Sequence, residues 1–163
     1  MLTGSVDGAV KLYDVLQQRA LLTFFPPSKH LSTCAISAAV WSSARPCVFA
    51  VAMEMGGVYI YDLLESKQEP VMQLSLGAAS GSQQVTSLVF NPKQRGLLAV
   101  GDVTGRVRVF RLPFTLSEQQ KSEMAEISAL VGDKGSGFSL AGPNRNFNTK
   151  GFERLGTEVM SPR

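Results

Sequence analysis

Short runs of alternating apolar and polar residues, each closed by Gly, Asp or Ser, fill the chain from Leu2 to Leu112. Alternation with a period of two puts successive side chains on opposite faces, so each run predicts a β-strand with one face on a core. The opening stretch LTGSVDGAVKLYDV (Leu2 to Val15) sets Val10, Leu12 and Asp14 on one side and Lys11, Tyr13 and Val15 on the other. Between its two strands, Ser5, Val6, Asp7 and Gly8 predict a tight hairpin turn, because Asp bonds nearby backbone and Gly accepts a positive φ. CVFAVAM (Cys47 to Met53) and LLAVGD (Leu97 to Asp102) are compact apolar runs and predict buried central strands.

The pattern recurs. GGVYIYDL (Gly56 to Leu63) and TGRVRVFRL (Thr104 to Leu112) repeat the opening: Gly8, Gly57 and Gly105 stand at steps of 49 and 48 residues, and Tyr13, Tyr61 and Phe110 at steps of 48 and 49. Trp41 and Phe90, which precede the second and third copies, are also 49 apart. A four-stranded unit of this length resembles the WD-repeat blade of a β-propeller. Tyr13-Asp14 and Tyr61-Asp62 stand where that repeat usually has Trp-Asp, whereas the third copy ends Phe110-Arg111 without the acid. No Gly-His pair precedes Trp41 or Phe90 at the repeat's spacing, and the only histidine, His30, falls two positions early. The resemblance therefore implies an incomplete buried His, Ser and Asp network, with blade cohesion resting on packing.

The expected fold class is all-β: a partial WD-repeat β-propeller of about two and a half blades over residues 1–113. Residues 1–26 form a partial blade, 32–76 a whole one, and 83–112 one that lacks its outermost strand. A propeller ring needs about 4–8 blades, so the chain is expected to be either a C-terminal piece of a longer protein or the product of an incomplete gene model, with an open edge at Leu2 to Val15. Asp7, Gly8, Tyr13, Asp14, Trp41, Gly57, Tyr61, Asp62, Asp102, Gly105 and Phe110 are its structural repeat positions.

Beyond Leu112 the period changes. Leu116, Gln120, Met124, Ile127 and Val131 recur at helical spacing and predict one amphipathic helix over residues 114–132. Ser117 with Gln120 reads as its capping box and Gly132 as its stop. Such a stripe must be buried under the chain's own blades or against a partner. Residues 133–163, rich in Gly, Asn, Ser and basic residues, predict a flexible tail with apolar anchors at Phe138, Phe147, Phe152 and Leu155.

Composition narrows the function classes. Of 163 residues, 44% are hydrophobic and 18% charged, and the net charge of +3 is spread thinly rather than gathered into a nucleic-acid patch. RVRVFR (Arg106 to Arg111) is the densest basic spot and reads first as a strand edge or blade rim. No apolar run approaches the roughly 20 residues of a membrane span. Cys34 and Cys47 read as small buried hydrophobes. His30 and two distant thiols are too few for a metal site, and no cofactor is implied. Cys34, His30 and Asp62 lack any local nucleophile signature, and GDKGSG (Gly132 to Gly137) lacks the strand and the Lys-Ser/Thr of a phosphate loop, so no enzyme is expected.

Order and spacing of three further motifs are similar to the C-terminal blades of dynein intermediate chains. They are Trp41-Ser42 with Pro46 before a buried strand, Asp62-Leu63 followed by a turn at Pro70, and Ala99, Gly101, Asp102 and Gly105 in a hairpin. The ciliary members, axonemal and intraflagellar-transport types, look nearest. That resemblance implies a non-catalytic scaffold whose propeller binds a dynein heavy-chain tail within a hetero-oligomeric motor complex, in the cytoplasm or cytoskeleton and in the axoneme of a cilium or flagellum, without nucleic acid or membrane. The expected partner contacts are Arg45 and Pro46 on one rim, with Arg45 in a solvent-facing turn, and Arg106 and Arg108 on the last blade. A generic WD-repeat scaffold, a ubiquitin-ligase adaptor or trafficking platform, is the alternative.

Overall fold

The computed structural model describes residues 1–27, 34–55, 57–76 and 84–132. His30 and the tail expected at 133–163 lie outside the described residues. Among the described residues, ten strands form three antiparallel sheets. The first blade holds β1 (Leu2–Gly4), β2 (Val10–Tyr13) and β3 (Ala20–Phe24), in that order. The second holds β4 (Ile36–Trp41), β5 (Val48–Met53), β6 (Val58–Asp62) and β7 (Met72–Leu74). The third holds β8 (Val85–Phe90), β9 (Leu97–Asp102) and β10 (Val107–Arg111). This is the partial propeller-like all-β architecture that the repeat implies.

Turn chemistry fixes each hairpin. Gly8 and Gly105 adopt φ of 81° and 78°, and their N–H groups donate to the Ser5 and Asp102 carbonyls. Gly57 is not their counterpart. The N–H groups of Ser5, Met53 and Asp102 donate to Ala9, Gly57 and Arg106, so Gly57 stands one place past Gly8 and Gly105. A Gly-Gly pair offers two readings of the same turn, and only the strand register decides between them. The aromatic steps already carry the correct register, since Tyr61 faces Phe49 and Phe110 faces Leu98 across their ladders.

Alternation along β5 builds two cores. Phe49, Val51 and Met53 join Val10, Leu12, Leu21 and Phe24 in the seam between the first and second blades. Val48, Ala50 and Ala52 face the other way and join Phe90, Leu98, Val100 and Leu112 in the second seam. Every residue of β5 and β6 is buried, because the middle blade has a neighbour on each side. β9 differs from the sequence expectation: Leu98 and Val100 are fully buried, while Leu97 and Ala99 face a side that no other blade covers among the described residues.

Blade contact is close enough to require glycine at one point. A Cβ on Gly4 would lie 2.5 Å from the Ile36 Cγ2 atom of the next blade. We expect Gly4→Ala to push β1 from β4 and cost about 1–3 kcal/mol, read as a lower urea midpoint; an unchanged midpoint would mean the seam yields freely.

After β10 the chain turns at Pro113 into a single helical turn, α1 (Phe114–Ser117), and then into α2 (Glu123–Gly132). The single helix expected over 114–132 is thus two pieces, parted where Glu118 is extended. Ser117 does not cap α2; its hydroxyl donates to the Phe114 carbonyl at 3.2 Å. Leu116 packs into the second seam, and Ile127 and Leu130 against the first. One straight helix cannot serve both seams, so the chain breaks between them. The buried face of α2 is Glu123, Ile127 and Leu130, whereas Met124 is 59% exposed.

Candidate functional site

The turn before β5 is built by Ser42, whose Oγ accepts the N–H groups of Ala44 and Arg45, both at 3.2 Å. The Arg45 carbonyl then accepts the Val48 N–H. This closed turn drives the Arg45 side chain inward rather than to solvent. Arg45 is 1% exposed, which corrects the expectation of a surface contact.

Arg45 Nη1 donates to Asp62 Oδ2 at 2.7 Å and to the Thr115 carbonyl, and Nε donates to Glu123 Oε1. Asp62 is itself oriented, since its Oδ1 accepts the Leu64 N–H at 3.0 Å. One guanidinium therefore ties the end of β6, the turn before β5, the residue after α1 begins and the start of α2. Removing two carboxylates and a guanidinium from water is offset only because they meet one another. The repeat's Asp, at Asp62, thus finds an arginine partner, and blade cohesion is more than packing.

Around this cluster the C-terminal segment forms a strap across the blades. Arg95 pairs with Glu118 at 3.2 Å on the third blade, Lys67 with Glu126 at 2.6 Å on the second, and Gln17 donates to the Val131 carbonyl at 3.4 Å on the first. A cleft of about 350 Å³ remains between strap and blades, lined among others by Tyr13, Asp14, Trp41, Pro46, Leu63 and Ile127. Its walls are mainly apolar. Among the described residues no cluster of acidic, His and Cys side chains could hold a metal ion.

Cys47 sits under the strap, its Sγ 3.6 Å from the Glu123 carbonyl. Burial, with Glu123 adding, pushes its thiol up to about 11. In a Cys34→Ala background we expect Cys47 to resist a thiol reagent at neutral pH and to react once Glu123→Ala loosens α2. Equal labelling of both proteins would show that the strap does not shield it.

Asp102 organises the last hairpin. Its Oδ1 accepts the N–H groups of Thr104 and Arg106, both at 3.0 Å, and its Oδ2 accepts Arg108 Nη1 at 2.9 Å. The Thr104 hydroxyl does most to hold the carboxyl down to about 2, below its ordinary 3.8; burial opposes it, and Arg106 and Arg108 assist. Folding favours the ionised form, so this contribution is complete above the ordinary value and fades as pH falls towards 2. The Asp102 carboxyl carbon should titrate near pH 2 by NMR, and Asp102→Asn should remove that part of the acid sensitivity; a midpoint near 4 would contradict it.

Of the expected rim residues, Pro46 lines the cleft, Arg108 is engaged by Asp102, and Arg106 is exposed. Arg45 and Pro46 share the strap side of the molecule, while Arg108 lies in β10 and Arg106 immediately before it. Trp41 and Phe49 are core neighbours, their rings 5.3 Å apart edge to face. The reading of the sequence missed Glu123 and Thr115. A signal existed for the first, since Glu123, Ile127 and Leu130 fall on one helical face.

No family model matches the chain. It is 36% identical over 129 residues to mouse cytoplasmic dynein 2 intermediate chain 2, covering 79% of this chain and 23% of that protein. It is 34% identical over 88 residues to dynein axonemal intermediate chain 3 of Macaca fascicularis, covering 54% of this chain and 10% of that one. The chain belongs to the dynein intermediate chain family. A flagellar outer-arm dynein intermediate chain of 78 kDa from Chlamydomonas reinhardtii, 32% identical over 98 residues, extends the match to a further dynein intermediate chain. The chain spans about a quarter of the length of the dynein 2 intermediate chains it matches.

Proposed function

We propose that the chain is the blade-and-strap part of a non-catalytic scaffold subunit of a ciliary dynein, whose propeller binds the tail of a heavy chain. Residues 1–113 supply the blades and 114–132 the strap. The observation that carries this reading is the similarity to a cytoplasmic dynein 2 intermediate chain over 79% of the chain and to an axonemal intermediate chain over 54% of it. The architecture supports it: two apolar seams and a buried ion cluster make a stiff platform, and the cleft offers an apolar socket beside Trp41 and Pro46. Pro46, Arg106 and Arg108 are the partner contacts of this reading.

The test is purification of the tagged polypeptide in its cellular complex from ciliated cells, with subunits identified by mass spectrometry. Recovery of a dynein heavy chain, reduced by Pro46→Glu at the cleft, supports the proposal. Recovery of ubiquitin-ligase or trafficking components without any dynein subunit overturns it in favour of a general WD-repeat scaffold.

A further inference from the structure

The third blade inverts the charge at its strand end. In the second blade Asp62 closes β6, meets Arg45 from the turn before β5, and is tied through that arginine to Glu123 of the strap. One repeat on, 49 residues later in each case, Arg111 stands for Asp62 and Gln94 for Arg45. The ladders agree, since Asp62 pairs with Val48 and Arg111 with Leu97. The third blade therefore ends in a cation, and its turn offers a neutral amide where the second blade offers a counter-charge. Arg111 is exposed, and no carboxylate among the described residues reaches it.

A pocket of about 430 Å³ lies at this spot on the strap side, lined among others by Gln94, Arg95, Arg111, Phe114, Ser117 and Glu118. Its floor is fixed: the Gly96 carbonyl accepts the Leu112 N–H at 2.7 Å, and a Cβ on Gly96 would lie 2.8 Å from the Ser117 Cβ. Glu118 takes Arg95 Nη1 at 3.2 Å in a pair whose side chains are 64% and 41% exposed, which leaves Arg111 as the uncompensated charge. Phe114, beside it, is 76% exposed. The surroundings have the same sign. Residues 84–113 hold Lys93, Arg95, Arg106, Arg108 and Arg111 against one acid, Asp102, whereas residues 34–76 hold Arg45 and Lys67 against Glu54, Asp62, Glu65 and Glu69.

We infer that this pocket receives an acidic side chain of the heavy-chain tail, with Arg111 pairing its carboxylate and Phe114 packing on the apolar residue next to it. The heavy chain as the source rests on the function proposed above; the acid rests on the charge of the pocket. An exposed ion pair is worth little while both groups stay wet. Docking against Phe114 excludes water, and the donors of Arg95 that Glu118 leaves free turn to the same carboxylate. A neutral or basic side chain would instead bury Arg111 without a counter-charge, so the pocket selects as well as binds.

The test uses the tagged polypeptide in its cellular complex from ciliated cells, with a photo-crosslinker at Phe114. The link should fall in a heavy-chain segment beside an aspartate or glutamate. Arg111→Glu should lower heavy-chain recovery about tenfold and Arg111→Lys much less, and exchange of the linked acid for lysine should restore recovery with Arg111→Glu. Glu118→Gln, which releases Arg95, should raise recovery; a merely structural role in holding the strap would lower it in both variants. A link to a heavy-chain segment without an acid, or full recovery with Arg111→Glu, would overturn the acidic site and leave the heavy-chain reading standing. A link within the same polypeptide would overturn the occupant, and a complex without any heavy chain would overturn the function and the occupant together.

Discussion

Arg45→Ala should cost about 3–5 kcal/mol, because it strands two buried carboxylates that share one cation. Asp62 and Glu123 have side chains only 5% and 0% exposed, so water cannot replace the guanidinium without opening the strap. The loss should appear as a lower urea midpoint and as faster amide exchange through Glu123–Gly132. Arg45→Lys should fall between, since one ammonium cannot reach Asp62, Glu123 and the Thr115 carbonyl as the guanidinium fork does. Replacing all three charges with apolar residues of similar volume should recover much of the stability, which distinguishes a stranded-charge penalty from lost packing. A loss below about 1 kcal/mol for Arg45→Ala would mean the cluster is solvated in solution.

The second large effect belongs to the first seam. Phe49 is fully buried, stacks on Tyr61 at 4.9 Å, and meets Phe24 and Trp41 edge to face at 5.2 and 5.3 Å. Phe49→Ala should cost about 3–5 kcal/mol through the transfer and cavity contributions of a large side chain. Each aromatic neighbour lost adds about 0.5–1.5 kcal/mol beyond area alone. Trp41 is the only tryptophan, so its emission should shift to the red as the seam loosens. Phe49→Leu should keep most of the stability, and equal effects of the two substitutions would rule out a volume-controlled seam.

Much of the fold was legible because its signals are local. Alternation placed the strands, Asp-Gly and Thr-Gly turns placed two hairpins, and the constant aromatic step revealed the blades before any contact was known. The errors share a physical origin in long-range context. Arg45 sits in a polar turn and reads as exposed, yet its burial depends on Glu123, 78 residues away. The helical period after Leu112 was real, but the need to reach two different seams broke it and turned Met124 outward. β9 reads like β5 in composition, and only the neighbour present on one side and not the other separates their burial. The rim contacts were the least legible, since a turn's sequence shapes its backbone without saying which way a long side chain will find a partner.

The strap also orders events in time. During synthesis Arg45, Asp62 and Cys47 leave the ribosome well before Glu123 exists to meet them, so the middle blade must wait with Arg45 answered by Asp62 alone and not yet covered by the strap. Stacked blades on their own would behave as a row of units, each coupled only to the next. A late segment that returns from the third blade to the first converts that row into a closed circuit. The strap, made after all three blades, is then the stretch that commits them, and nascent chains stalled before it should remain open to chaperones and proteases.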